Sequence, residues 1–157
     1  MLNPDGVALG NYRCSVTGYD LNRHWRDTNP WAQPGLHAVK TYLVQLEKEA
    51  QVDFCIDIHA HSLASGAFMY GNVAEDQEAQ LDQQLLPRLF GAMSEDFSVS
   101  RTNFNKDSVK AGTARRVLGG LFPKSYTLEV SFYHYQRELR SVAYTTGSFR
   151  FLFVLLI

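Results

Sequence analysis

Three groups of side chains in this sequence are of types that do chemistry. The first lies in 57-DIHAHS-62, where Asp57, His59 and His61 stand two residues apart and share one side if the backbone there is a strand. Imidazole is the commonest protein ligand for metal ions. Two histidines at a strand end are equally a polar edge or a mutually hydrogen-bonded pair, and an HxH pair lacks the third ligand of a catalytic zinc site. The second group is 11-NYRCSVTGYDLNRHW-25, with Arg13, Asp20, Asn22 and Arg23 in a loop whose turns carry Gly10 and Gly18. A guanidinium presents a rigid fork that grips a carboxylate through two hydrogen bonds or steadies an oxyanion. The same residues also suit a solvated loop with structural ion pairs. The third is Glu129 in 125-SYTLEVSFY-133, a carboxylate that either acts on a proton or faces water.

The elements that must position these groups are legible from periodicity. In 125-SYTLEVSFY-133, Tyr126, Leu128, Val130 and Phe132 alternate with Ser125, Thr127, Glu129 and Ser131, which predicts a strand with one apolar face. In 52-VDFCIDIHAH-61, Val52, Phe54, Ile56 and Ile58 alternate with Asp53, Cys55, Asp57 and His59, a second strand. Between the loop and that strand, Pro34 opens a helix whose core face is predicted from Leu36, Val39, Tyr42, Leu43 and Leu46. A second amphipathic stretch runs from Asp76 to Met93 with an interruption at Pro87; 97-FSVSRTNF-104 offers a weaker strand, and Ala111–Leu118 a short helix. The first 30 residues read as loop, with NPDG as a turn. Helix followed by strand implies an α/β layer arrangement.

The chain has 157 residues, 45% of them hydrophobic, enough for one globular domain with a sizeable core. Its formal charge of -1 gives no overall attraction to nucleic acid or anionic lipid, so neither is expected as a partner. Two cysteines, Cys14 and Cys55, are too few for a disulfide framework, and a reducing compartment fits best. MLNPDGVALG has no basic region followed by an apolar run and is not expected to be a signal peptide. The terminal FRFLFVLLI is about half the length a membrane-spanning helix requires; a buried strand or a divergent tail is expected instead.

Taken in order, NPDG, NYRCS, GYDLNRHW, DIHAHS with FMYG after it, and SYTLEVSF resemble the zinc metallocarboxypeptidases, in particular their cytosolic branch. The resemblance spans Asn3 to about Phe132, and five ordered motifs are far more specific than any one. It implies an α/β, mixed-sheet, zinc carboxypeptidase-like (phosphorylase/hydrolase-like) three-layer domain whose N-terminal part is missing. Residues 1–157 would be a partial catalytic domain, with 133–157 divergent. It also implies one zinc ion with His59 as a ligand and two further ligands from outside this chain, since no His-x-x-Glu motif occurs in it. Glu129 would be the general base and Arg13 the oxyanion stabiliser. Asn22 and Arg23 would hold the substrate's C-terminal carboxylate, and Asp20 would orient an upstream histidine. His61 would act outside the ligand set.

The segment 110-KAGTARR-116 resembles a Gly-Thr-Gly-Arg stretch of that branch, with Ala114 replacing a glycine. There Arg115, or Lys110, would favour an acidic substrate side chain; a solvated helix end with basic residues is the other reading. The implied partners are peptide or protein C-terminal tails, tubulin tails among the candidates. The implied reaction is removal of C-terminal residues, glutamate in particular, in the cytoplasm. The competing expectation is a non-catalytic relative that binds peptide C-termini through Asn22 and Arg23.

Overall fold

The structure is a computed structural model that describes residues 1–147; the FRFLFVLLI stretch lies outside the described residues. Two compact units emerge. One comprises Met1–Cys55 with Asn105–Ser125, the other Ile56–Phe104 with the chain from Tyr126 onward.

The first unit is helical and irregular. Helix α1 (Pro4–Ala8) replaces the predicted simple turn. Asn3 makes it possible, since its side chain accepts the Gly6 N–H at 3.1 Å and Pro4 supplies a pre-set φ at the first helical position. A 3₁₀ turn at Leu21–Arg23 follows, capped by Asp20. Helix α2 (Pro34–Glu49) forms as its periodicity predicts. Its core face is Leu36, Val39 and Leu43, which pack with Trp25, Ala114, Leu118 and Phe122. Tyr42, expected on that face, is instead 61% exposed, because it lies at the rim of the apolar stripe. Burying a side chain such as Leu36 stabilises by roughly 2 kcal/mol. The predicted Ala111–Leu118 helix shortens to helix α4 (Ala114–Leu118), preceded by a 3₁₀ turn at Ser108–Lys110, with Ala111, Gly112 and Thr113 between them.

The second unit contains a mixed sheet ordered β1 (Cys55–His61), β4 (Ser125–Ser131), β2 (Ala67–Gly71), β3 (Asn103–Phe104). β2 pairs antiparallel with β4, placing Phe68 opposite Glu129, and parallel with β3. At the two ends of β1, the Cys55 N–H donates to Lys124 O and the Phe132 N–H to His61 O, so β1 and β4 run in the same direction. The predicted strand over 97–104 is mostly a 3₁₀ turn, Val99–Arg101, with only Asn103 and Phe104 in the sheet. Ala67, Met69, Tyr126, Leu128 and Val130 form the core with Phe90 and Phe97.

Helix α3 (Gln77–Met93) is not interrupted at Pro87. A proline lacks the N–H that would bond the carbonyl four residues earlier, that of Gln83. The Tyr126 hydroxyl donates to that carbonyl at 2.8 Å, so β4 fills the gap in the helix ladder. This tyrosine's phenol is pushed well above its usual range, first by burial and then by the charge of Asp82. Beyond the sheet, a hairpin of β5 (His134–Arg137) and β6 (Arg140–Ala143) turns at Glu138, whose φ is 53°. The hairpin is fastened by Tyr144 to Asp96 and by Tyr135 and Arg137 to Glu95.

Candidate functional site

In the first unit the sequence brings Arg13, Asp20, Asn22 and Arg23 into one hydrogen-bonded group. Asn3 starts the assembly. Besides capping α1, its amide donates to Cys14 O at 3.2 Å and Arg13 O at 3.4 Å, and Asn11 adds a second donor to Cys14 O at 3.1 Å. The backbone that carries Arg13 is therefore held by two asparagine side chains. Asp20 lies beyond a turn closed by Ser15, Tyr19 and Gly18, the last at φ 82°, which suits glycine. Its Oδ2 accepts from Arg13 Nε at 2.7 Å and stands 3.9 Å from Arg23 Nη1, while its Oδ1 accepts the Asn22 N–H at 3.0 Å.

Two guanidinium groups against one carboxylate leave this cluster with positive charge. Both arginine side chains are partly solvated and Asp20 is the more enclosed, so the desolvation cost is modest. The Asn22 Oδ1 accepts the Ala114 N–H at 2.9 Å. This bond fixes which way the amide points: the oxygen faces Ala114, and the nitrogen, a donor, faces the other way.

Arg115 sits elsewhere in the same unit. It is only 2% exposed, and its guanidinium donates to Asn105 O at 3.3 Å and Asn105 Oδ1 at 3.1 Å. A solvated helix end therefore does not describe it. Lys110 closes the 3₁₀ turn before Gly112.

In the second unit, β1 and β4 carry the remaining candidates. Asp57 Oδ2 and His59 Nε2 are 2.7 Å apart, both side chains partly enclosed. His61 takes a separate course: its Nδ1 accepts the N–H groups of Leu63, at 3.1 Å, and Ala64, at 2.9 Å, and its ring meets Phe68 edge-on. The apolar side of this strand is less buried than its alternation predicts. Ile56 packs on the core, but Phe54 is 44% and Ile58 43% exposed.

On β4 the strands β1 and β2 cover both edges, and residues of both faces are buried. Ser125, Thr127 and Ser131 are buried alongside the apolar residues, and Glu129 alone on this strand is partly accessible. Phe132 falls beyond the strand and is half exposed. Among the described residues, no group of three or more His, Cys, Asp or Glu side chains is arranged to hold a metal ion. The complete ligand set of a zinc centre is therefore not present among them.

Sequence reasoning placed Asp57 on the side of His59 without giving it a partner; the i, i+2 strand spacing was the signal. The bond between Asn22 and Ala114 had no sequence signal, since 92 residues separate the two.

No family model matches the chain. It is 56% identical over 140 residues to cytosolic carboxypeptidase 6 of Homo sapiens, a match covering 86% of this chain and 28% of that protein. To cytosolic carboxypeptidase 6 of Caenorhabditis elegans it is 49% identical over 142 residues, covering 87% of this chain and 31% of that protein. The chain thus spans under a third of the length of these relatives. Among solved structures it resembles the metallo-carboxypeptidase from Pseudomonas aeruginosa in complex with (2-guanidinoethylmercapto)succinic acid. That likeness has a TM-score of 0.78 at 22% identity and covers 96% of this chain and 41% of that one.

Proposed function

Because the chain belongs to the cytosolic carboxypeptidase branch of the metallocarboxypeptidases, we propose that it contributes to hydrolytic removal of C-terminal residues from peptide or protein tails. The observation that carries this reading is the convergence of Arg13 and Arg23 on Asp20, with Asn22 between them in sequence and its donor end turned away from Ala114. Fixed cations beside an oriented amide suit a free carboxylate, which distinguishes an exopeptidase substrate from an internal peptide bond.

In the proposed reaction Asn22 and Arg23 hold that carboxylate, and Arg13 stabilises the negative charge that develops on the carbonyl oxygen. Glu129 takes a proton from the attacking water and returns it to the leaving amine. Asp20 keeps Arg13 in position and is also proposed to orient a histidine from outside the chain. His59 is proposed as one zinc ligand, the others lying outside the described residues. A preference for glutamate is proposed to come from the field of Arg115, whose buried charge is little screened by water. Glutamate-rich tails such as those of tubulin are the proposed substrates. The names of the relatives support a cytoplasmic setting.

The test is release of C-terminal glutamate from a glutamate-ending peptide, measured with the zinc-to-protein ratio after dialysis. Zinc bound and glutamate released support hydrolysis by this chain. A ratio near zero and no release would refute it. A second reading rests on the Arg13–Asp20–Asn22–Arg23 group alone: binding of a peptide C-terminus without hydrolysis. Micromolar binding of an acidic peptide, lost when its C-terminus is amidated, would establish that reading.

A further inference from the structure

The segment from Gly112 to Ala114, whose Ala114 is 92 residues from Asn22, meets the stretch from Asn22 to Trp25 at three points. The Trp25 N–H donates to Gly112 O at 3.1 Å, immediately after the 3₁₀ turn that carries Asn22 and Arg23. The backbone of Gly112 lies so close to Arg23 that a Cβ built on it would stand 2.3 Å from the Arg23 carbonyl oxygen and 3.1 Å from its carbon. No side chain of any kind fits there unless the Arg23 backbone moves. The third contact is the Ala114 N–H held by Asn22 Oδ1 at 2.9 Å. Trp25 and Ala114, both buried in the same core, keep the two segments together, and the Thr113 hydroxyl stiffens the second by donating to Lys110 O at 2.8 Å.

We propose that Gly112–Ala114 is the positioning device of the carboxylate-binding residues: Gly112 sets the backbone of Arg23, and the Ala114 amide sets the orientation of the Asn22 side chain. The proposal rests on the carboxylate-binding reading above. It adds that a segment outside the binding loop determines whether that loop works. A backbone N–H can meet only the oxygen end of the Asn22 amide, so the bond sets which end of that amide faces Ala114. The next residue is the buried Arg115, so one short segment fixes both the carboxylate-binding group and the cation proposed to read the substrate side chain. Terminal carboxylate and side-chain recognition are therefore coupled through backbone geometry, and a change at Gly112 disturbs both.

Two substitutions test this in the whole chain. Gly112→Ala introduces the Cβ that the Arg23 carbonyl excludes. Ala114→Pro deletes the N–H bonded to Asn22 Oδ1 at the first position of α4, where proline is tolerated, and the preceding Thr113 already has the extended backbone, φ -78° and ψ 157°, that a following proline demands. Gly120→Ala serves as the control, since its nearest neighbour would be Val117 O at 3.4 Å.

Affinity is measured by calorimetry for a glutamate-ending peptide with a free C-terminus and for the same peptide amidated, alongside the thermal unfolding midpoint of each variant. The expected result is a preference for the free acid of about tenfold or more in the parent and in Gly120→Ala, the scale of one charge-assisted hydrogen bond. That preference should collapse to near unity in Ala114→Pro, and in Gly112→Ala if it folds. Ala114→Pro folding normally and keeping the full preference would overturn the positioning role while leaving the carboxylate reading intact. Equal affinity of the parent for both peptides, or none for either, would overturn both.

Discussion

The two units hold their candidate residues by different means. In the first, Arg13, Asp20, Asn22 and Arg23 stand on short helical turns and loops, placed by side-chain bonds from Asn3, Asn11 and Asp20 and by the Ala114 amide. In the second, Asp57, His59 and Glu129 stand on strands whose backbones are already fixed by the sheet ladder. Loop placement leaves the charged groups partly in water, but every position depends on a few individual bonds. Strand placement fixes geometry through many shared bonds, and any change there is felt by the core. Substitutions of the loop-held charged residues in the first unit should therefore alter function more than stability, and those of the buried apolar residues on the strands of the second unit the reverse.

The largest stability effect should come from Leu128→Ala on β4, whose side chain is fully buried. A loss of about 3 kcal/mol is expected in chemical denaturation, from the missing contacts and the cavity left behind. A loss under 1 kcal/mol would mean that this sheet is not the rigid half of the molecule.

Next is Tyr126→Phe, which leaves the buried Gln83 carbonyl without its donor and should cost about 1–3 kcal/mol. Pro87→Ala restores the N–H that the helix lacks there, so it should recover part of that loss in the double variant; simple additivity would refute the bridging role of the tyrosine. The same residue gives a pH effect. Its phenol is raised in the folded state, so the unfolded chain loses this proton first as pH rises. The associated stability is full below about pH 10 and falls above it, and Tyr126→Phe should make the alkaline decline shallower.

Asp20→Ala removes the cap of a 3₁₀ turn and the partner of Arg13, and a cost of about 1 kcal/mol is expected in thermal unfolding. The smallest stability change belongs to Arg13→Ala. Its ion pair is solvent-screened, and under about 1 kcal/mol should be lost. Glutamate release, by contrast, should fall about a hundredfold or more, as removal of an oxyanion donor does elsewhere. Should Arg13→Ala destabilise as much as Leu128→Ala, the contrast between the units would fail.

Helix α2, the strands around His59 and Glu129, and the family itself were legible because each rests on local periodicity or on short ordered motifs. Pro87 was misread for a reason that is not local. Whether a proline ends a helix depends on whether something else satisfies the carbonyl it abandons, and the Tyr126 hydroxyl that does so comes from a strand 43 residues away. Tyr42 was assigned to a core face from helical periodicity and Phe54 and Ile58 to an apolar strand face from alternation, and their exposure depends on what packs against each face.

By itself, then, the sequence determined which residue types are available and the local backbone that carries them, because periodicity and capping act within a few residues. Tertiary structure decided which of them work together. The amide orientation of Asn22, the space denied to Gly112, the enclosure of Arg115 and the partner of Gln83 each depend on a segment distant in the chain. Hydrogen bonds and steric exclusion act through space, so contacts of this kind leave no trace in sequence spacing.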